Sequence, residues 1–238
     1  MKKSIILLFM VLLAFSLSAQ SDINLASEEW EDATNADGTG FYWAVIKLVY
    51  EDAGVKVNYS IVPYERSVKL VESGENDAWV GSYADEEDFV IYPMYAFDAD
   101  NVAAFSLKGK GYSSADDIIG KKVGWMRGYG FDELLEIDVK MTEVDNRIGG
   151  LKMVKAGRID CFLDARVELE NALKNSGLNM TDFEISTLLN AELYLAFADT
   201  DKGKKLLALW DKRIVELHKS GELKKLYDEY DYTSYYPF

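Results

Sequence analysis

Among its 238 residues the chain has one cysteine, one histidine and three prolines, and 41 acidic residues outnumber 26 Lys and Arg. Each scarcity excludes something. A lone Cys161 cannot close an internal disulfide, so the fold must be held by its core. Cys161 lies in an apolar, strand-like pattern, the setting of a small buried hydrophobe. His218 is the sole imidazole and falls in a C-terminal helical stretch, which leaves a Cys–His nucleophilic site without support. A formal charge of −15 argues against nucleic acid or anionic membrane as partner, since both require clustered Lys and Arg. No basic residue at all lies between Lys69 and Lys108. Gly128-Tyr129-Gly130 lacks the third glycine of a dinucleotide loop, and no phosphate-loop lysine motif occurs. Acids from Asp32 to Asp37 and from Asp98 to Asp100 have calcium-like spacing, but neither run reaches the bidentate Glu of a complete loop. No metal and no cofactor is expected.

Long apolar runs are also missing, with one exception. Lys2 and Lys3 precede the run Ile5–Leu17, which gives way to Ser18-Ala19-Gln20. That is the basic, apolar and small-residue order of a secretory leader over residues 1–20. The run is shorter than the roughly 20 residues of a membrane span, and no Cys follows it to carry a lipid. Removing Lys2 and Lys3 with the leader takes the charge from −15 to −17.

What the chain does have is a repeated step. Residues 70–81 and 153–164 align at a constant offset, pairing Gly74 with Gly157, Asp77 with Asp160 and Trp79 with Phe162. Each copy reads as a last helical turn, a glycine stop, a polar turn and a buried strand. Two matched helix-to-strand steps imply two similarly built α/β lobes, with ligand held between them outside the carboxyl ends of the strands. The surrounding pattern agrees. Strands are expected at 23–27, 55–61, 102–107, 122–126, 139–144 and 193–198. Helices are expected at 41–53, 64–73, from 131, from 148, at 165–175 and at 202–219, with a last short one ending at Tyr230. Residues 82–100 read as irregular, acidic and aromatic. With no linker rich in Pro or Ser, the lobes are expected to be joined by strands.

The order of these fragments resembles the bacterial extracellular solute-binding proteins of family 3. The resemblance rests on Gly40, on Val62-Pro63-Tyr64-Glu65-Arg66, on Gly74 and Asp77, and on Ser114–Lys122 running into Val123-Gly124. Arg127-Gly128, Gly157-Arg158-Ile159-Asp160 and Ser220–Tyr227 complete it. It implies a type 2 periplasmic binding protein fold: α/β, with two Rossmann-like lobes joined by a two-strand hinge. Residues 21–105 plus 192–238 would form lobe 1 and residues 106–191 lobe 2. It further implies a monomeric periplasmic receptor that presents a small polar solute, an amino acid or related amine, to an ABC permease in the inner membrane.

The resemblance also implies a pocket. Family members grip the ligand's α-carboxylate with an Arg shortly after the first repeat. Here that position falls on Asp88 or Phe89, in the stretch that begins Gly81-Ser82-Tyr83. Either the carboxylate is held elsewhere, by Arg66 or by Arg127 with the N–H groups at Gly128, Tyr129 and Gly130, or the ligand has no carboxylate and the pocket prefers a cation. Asp164 matches the family acid that binds the ligand's amino group. Trp30 and Tyr64, in loops after strands, are the aromatic walls, whereas Trp79 is expected in the core. Two further readings stay open: a small enzyme on the same fold, and an accessory module that works by docking without a ligand.

Overall fold

Two long strands carry the architecture. In the computed structural model, which describes residues 22–232 and 235–238, β5 (Asp98–Leu107) and β9 (Phe183–Ala198) pair antiparallel from Asp98↔Leu193 to Leu107↔Phe183. The expected leader over residues 1–20 lies outside the described residues. On one side of this ribbon stand β1 (Asp22–Ser27), β2 (Lys56–Ile61) and β3 (Ala78–Ser82), in the order β2-β1-β3-β9, with the short β4 (Val90–Ile91) also on β9. On the other stand β6 (Lys122–Met126), β7 (Lys140–Val144) and β8 (Cys161–Ala165), in the order β5-β8-β6-β7.

Each half is the same βαβαβ unit. β1 lies parallel between β2 and β3, and β6 lies parallel between β7 and β8. Parallel neighbours need a crossover, and helices provide it: α1 (Phe41–Tyr50) and α2 (Tyr64–Glu72) in the first half, α3 (Phe131–Leu134) and α4 (Arg147–Lys155) in the second. α5 (Arg166–Asn175) packs on β5 and β8. The 20-residue α6 (Asp201–Ser220) buries Leu206, Trp210, Ile214 and Leu217 at helical spacing against the first half, and α7 (Glu222–Glu229) follows. Thr200 starts α6 by accepting the Gly203 N–H, and Gly221 ends it in the left-handed region.

The repeat has a physical cause. Gly74 and Gly157 terminate α2 and α4 with φ of 77° and 67°. Asp77 then donates its N–H to Asn24 O and accepts the Asn24 N–H on Oδ2, both at 2.8 Å. Asp160 does the same with Lys122, at 2.7 and 2.9 Å. One aspartate thus staples the third strand of each unit to its first. Trp79 and Phe162 follow two residues later, both fully buried, and Cys161 is buried with its thiol pushed up to about 12 by desolvation.

The structure corrects several expectations. Residues 82–100 are not wholly irregular, since β4 and the start of β5 lie there. β9 begins at Phe183 rather than Leu193, because the mixed stretch Phe183–Asn190 is fixed by pairing with β5 and not by its own alternation. α3 has only four residues. Two bulges bend the ribbon and its neighbour. Leu188 is skipped between Val102↔Leu189 and Ala103↔Thr187, and Gly81 is skipped between Val80↔Leu195 and Ser82↔Tyr194. Gly81 takes φ 84°, and a Cβ there would stand 2.7 Å from the Trp30 ring. No helix among the described residues is long and apolar enough to cross a membrane.

Candidate functional site

A cavity of about 570 Å³ opens between the two halves. Its walls come from the carboxyl ends of the parallel strands, as an open α/β sheet places a ligand. Trp30 follows β1, Tyr64 follows β2, Tyr129 follows β6 and Asp164 lies near the end of β8. The floor is the crossover ribbon, with Asp98 and Asp100 on β5 and Leu193 on β9. The aromatic rings touch one another. Trp30 lies 6.3 Å from both Tyr42 and Tyr64, and Tyr64 meets Tyr129 edge-on at 5.3 Å.

Arg147 does not itself line the cavity but pairs with Asp164 and Glu168, which do. It is the first residue of α4, behind Asn146, whose side chain accepts the Gly149 N–H and fixes where the helix starts. Its Nε donates to Asp164 Oδ2 at 2.9 Å and lies 3.2 Å from Glu168, while Nη1 reaches Glu28 at 2.9 Å. Nη2 donates to the Tyr129 hydroxyl at 2.7 Å, which also accepts from Trp30 Nε1. Glu28 and Trp30 belong to the first half and Arg147 and Tyr129 to the second, so this network closes the halves on each other. Three carboxylates surround one guanidinium. Burial pushes the Asp164 and Glu168 carboxyls up, with Arg147 opposing, and the surrounding carboxylates hold Arg147 protonated.

The ribbon wall is different. Asp98 is 6% exposed; its Oδ2 accepts from the Tyr42 hydroxyl at 2.7 Å and its Oδ1 from the Ala99 N–H at 2.8 Å. Asp100 Oδ2 accepts from the Tyr83 hydroxyl at 3.0 Å. Desolvation raises Asp98 to about 6; desolvation, with the charge of Asp98 adding, raises Asp100 to about 7. Neither has a cationic partner among the described residues. Among the described residues Arg166 is the one basic residue lining the cavity, and it is already engaged with Thr187 Oγ1 at 2.9 Å, Ile185 O at 3.1 Å and Glu170 at 3.4 Å.

Of the residues singled out in the sequence, Trp30, Tyr64, Tyr83, Tyr129 and Asp164 meet at this cavity. Tyr64 opens α2 rather than sitting in a loop. Ser82 is fully buried behind the wall, donating to Glu86 Oε2 at 3.0 Å. Glu86 also accepts from Tyr64 and from the Tyr83 N–H, and desolvation raises it to about 7. Arg66 is exposed on the outer side of α2, and Asp88 lies exposed in the turn before β4; neither lines the cavity. The proposed anion grip is also spoken for. Arg127 is held by Asp145 at 2.8 Å and Glu143 at 3.1 Å beside a second crevice near Pro63, and the Gly128 N–H donates to Glu143 at 2.8 Å. A four-residue α3 adds little dipole behind it.

Comparison with known proteins fits this geometry. A sequence profile of the bacterial extracellular solute-binding proteins, family 3, matches residues 21–233. The chain belongs to that family. Its relatives include the probable amino-acid-binding protein YxeM of Bacillus subtilis, 26% identical over 97% of this chain and 95% of the relative. Among solved structures, the substrate-binding protein of an amino acid ABC transporter shares the fold with a TM-score of 0.69 at 18% identity, covering 88% of this chain and 99% of that one. An ancestral arginine-binding protein bound to arginine gives 0.70 at 19%, covering 88% and 98%. The solute-binding family and the type 2 periplasmic binding fold are therefore those the sequence resembled. Inside the cleft, however, the acid that the resemblance assigns to the ligand's amino group already holds Arg147.

Sequence reasoning missed Arg147, Glu28, Glu168, Asp98 and Asp100. Asn146 three residues before Gly149 could have placed Arg147 at a helix start. Asp98 and Asp100 were visible only as calcium-like spacing.

Proposed function

We propose that this protein is an exported receptor that captures an amine-bearing solute, an amino acid or a related amine, and presents it to an ABC-type permease. In this reading residues 1–20 are a cleaved leader and the mature chain works as a monomer in the periplasm. Residues 21–105 with 192–238, and residues 106–191, act as lobes that bend about β5 and β9. The observation that carries the reading is the cavity itself. Its lining sets Trp30, Tyr42, Tyr64 and Tyr129 beside Asp98, Asp100 and Asp164, and the one basic residue that lines it among the described residues, Arg166, is already paired. Aromatic faces and carboxylates together favour an organic cation, and about 570 Å³ suits a small solute. The amino-acid-binding relative and the transporter receptors that share the fold support the transport role. Binding without turnover is part of the proposal.

Native mass spectrometry of the gently purified mature chain tests it. A retained small molecule carrying an ammonium group is the expected result. An empty protein that also shows no thermal shift with amino acids or polyamines would remove the receptor reading in favour of a docking module.

A further inference from the structure

The family position for the ligand's ammonium is occupied from within. Arg147 fills the space in front of Asp164 and Glu168 and extends to Glu28, so a ligand cation there would have to displace a guanidinium held by three carboxylates. On the ribbon the situation is reversed. Asp98 is more than nine-tenths buried, lines the cavity and has no cationic partner among the described residues; Asp100, two residues along the same strand and so on the same face, lines it too. Tyr42 and Tyr83 hydroxyls hold one oxygen of each in place, and the Tyr232 ring lines the same part of the cavity, stacked on Phe41 at 3.9 Å. A buried carboxyl such as Asp98, with half-buried Asp100 beside it and no counter-charge, is costly unless something pairs with it. Among the described residues no basic side chain lining the cavity is free to take a carboxylate, since Arg166 is engaged with Thr187, Ile185 and Glu170.

We propose that the ammonium site of this receptor lies at Asp98 and Asp100 on the crossover ribbon, walled by Tyr42, Tyr83 and Tyr232, and that it takes a small organic amine lacking an α-carboxylate, such as a diamine. This rests on the receptor reading above and specifies its ligand class. Because the site lies on the hinge strands, a bound cation would neutralise the segment about which the lobes bend. Ligand binding should also release protons near neutral pH, because the cation favours the ionised form of carboxyls that desolvation has raised to about 6 and 7.

Isothermal titration at pH 7.5 with 1,5-diaminopentane and lysine tests the proposal, because the two probes differ only by the α-carboxylate. The diamine should bind at least tenfold more tightly than lysine, and Asp98→Asn and Asp100→Asn should each weaken it at least tenfold. Both variants should melt at or above the wild-type temperature at pH 7.5, since each removes a carboxylate charge that desolvation disfavours; lost affinity with retained stability separates a binding role from a structural one. Unchanged diamine affinity in both variants would overturn the location. Tighter binding of lysine than of the diamine would overturn the carboxylate-free class while leaving the receptor reading standing. Absence of any heat with either probe, with arginine or with glutamine would sink both.

Discussion

In the first repeat Asp77 exchanges two hydrogen bonds with Asn24, and in the second Asp160 exchanges the same two with Lys122. Four residues further on, the copies diverge. The first has Gly81, a left-handed bulge whose bare Cα admits the Trp30 ring; the second has Asp164, a buried carboxylate on Arg147. Both positions line the cavity. The shared residues build the sheet and the differing ones furnish the cleft, so scaffold and site should respond separately to perturbation.

Titration gives the largest separation. Asp98, Asp100 and Glu86 are raised to about 6, 7 and 7, chiefly by desolvation. Between about pH 4 and 7 the folded chain therefore binds more protons than the unfolded one, so this contribution is complete at the acid end and is lost as pH rises. Each tenfold difference in proton affinity between the two states is worth about 1.4 kcal/mol, so the three carboxyls together put several kcal/mol at stake. Urea midpoints should fall from pH 5 to pH 7.5, and Asp100→Asn should flatten the slope. A midpoint that rises over this range would mean the ribbon carboxyls are compensated after all.

Arg147→Ala comes next, because it leaves Glu28, Asp164 and Glu168 without their cation. Breaking a buried pair in this way costs about 3 kcal/mol or more. The loss should shrink at pH 5, where Asp164 and Glu168, raised by burial, can protonate, and small-angle scattering should show the halves further apart. Gly81→Ala should cost about 2 kcal/mol from its left-handed backbone and the displaced indole, visible as a change in near-UV circular dichroism. An alanine tolerated without that change would mean the bulge relaxes and the first copy has no special need for glycine.

How far these features were legible follows the same division. Gly74, Asp77, Gly157 and Asp160 announced the two units, because a helix stop and a strand staple require particular residue types at fixed spacing. The cleft residues from β1, β2, β6 and β8 were found through strand ends. The far half of β9 was not, because Phe183–Asn190 mixes polar and apolar residues and owes its extension to the facing β5. Arg66, Arg127 and Arg147 are indistinguishable as letters. Only the fold shows that the first faces outward, the second is tied to Glu143 and Asp145, and the third ties Glu28 of one half to Asp164 of the other.

The finest test of the comparison is the part the two copies share. Asp77→Ala and Asp160→Ala each remove a carboxylate that accepts one backbone N–H, a loss of about 1.5 kcal/mol for a charged acceptor. Asp77 has one extra partner, Lys202, whose side chain is close to half exposed, and such a pair adds at most about 1 kcal/mol. The two variants should therefore lose stability equal to within about 1 kcal/mol in urea, and each should speed amide exchange at Asn24 or Lys122 alone. Affinity for a ligand should stay within about threefold of wild type in both, because neither residue lines the cavity. If Asp160→Ala cost far more than Asp77→Ala, or changed affinity strongly, the staple of the second unit would be carrying the Asp164–Arg147 wall as well, and the separation of scaffold from site would fail in the half where Arg147 sits.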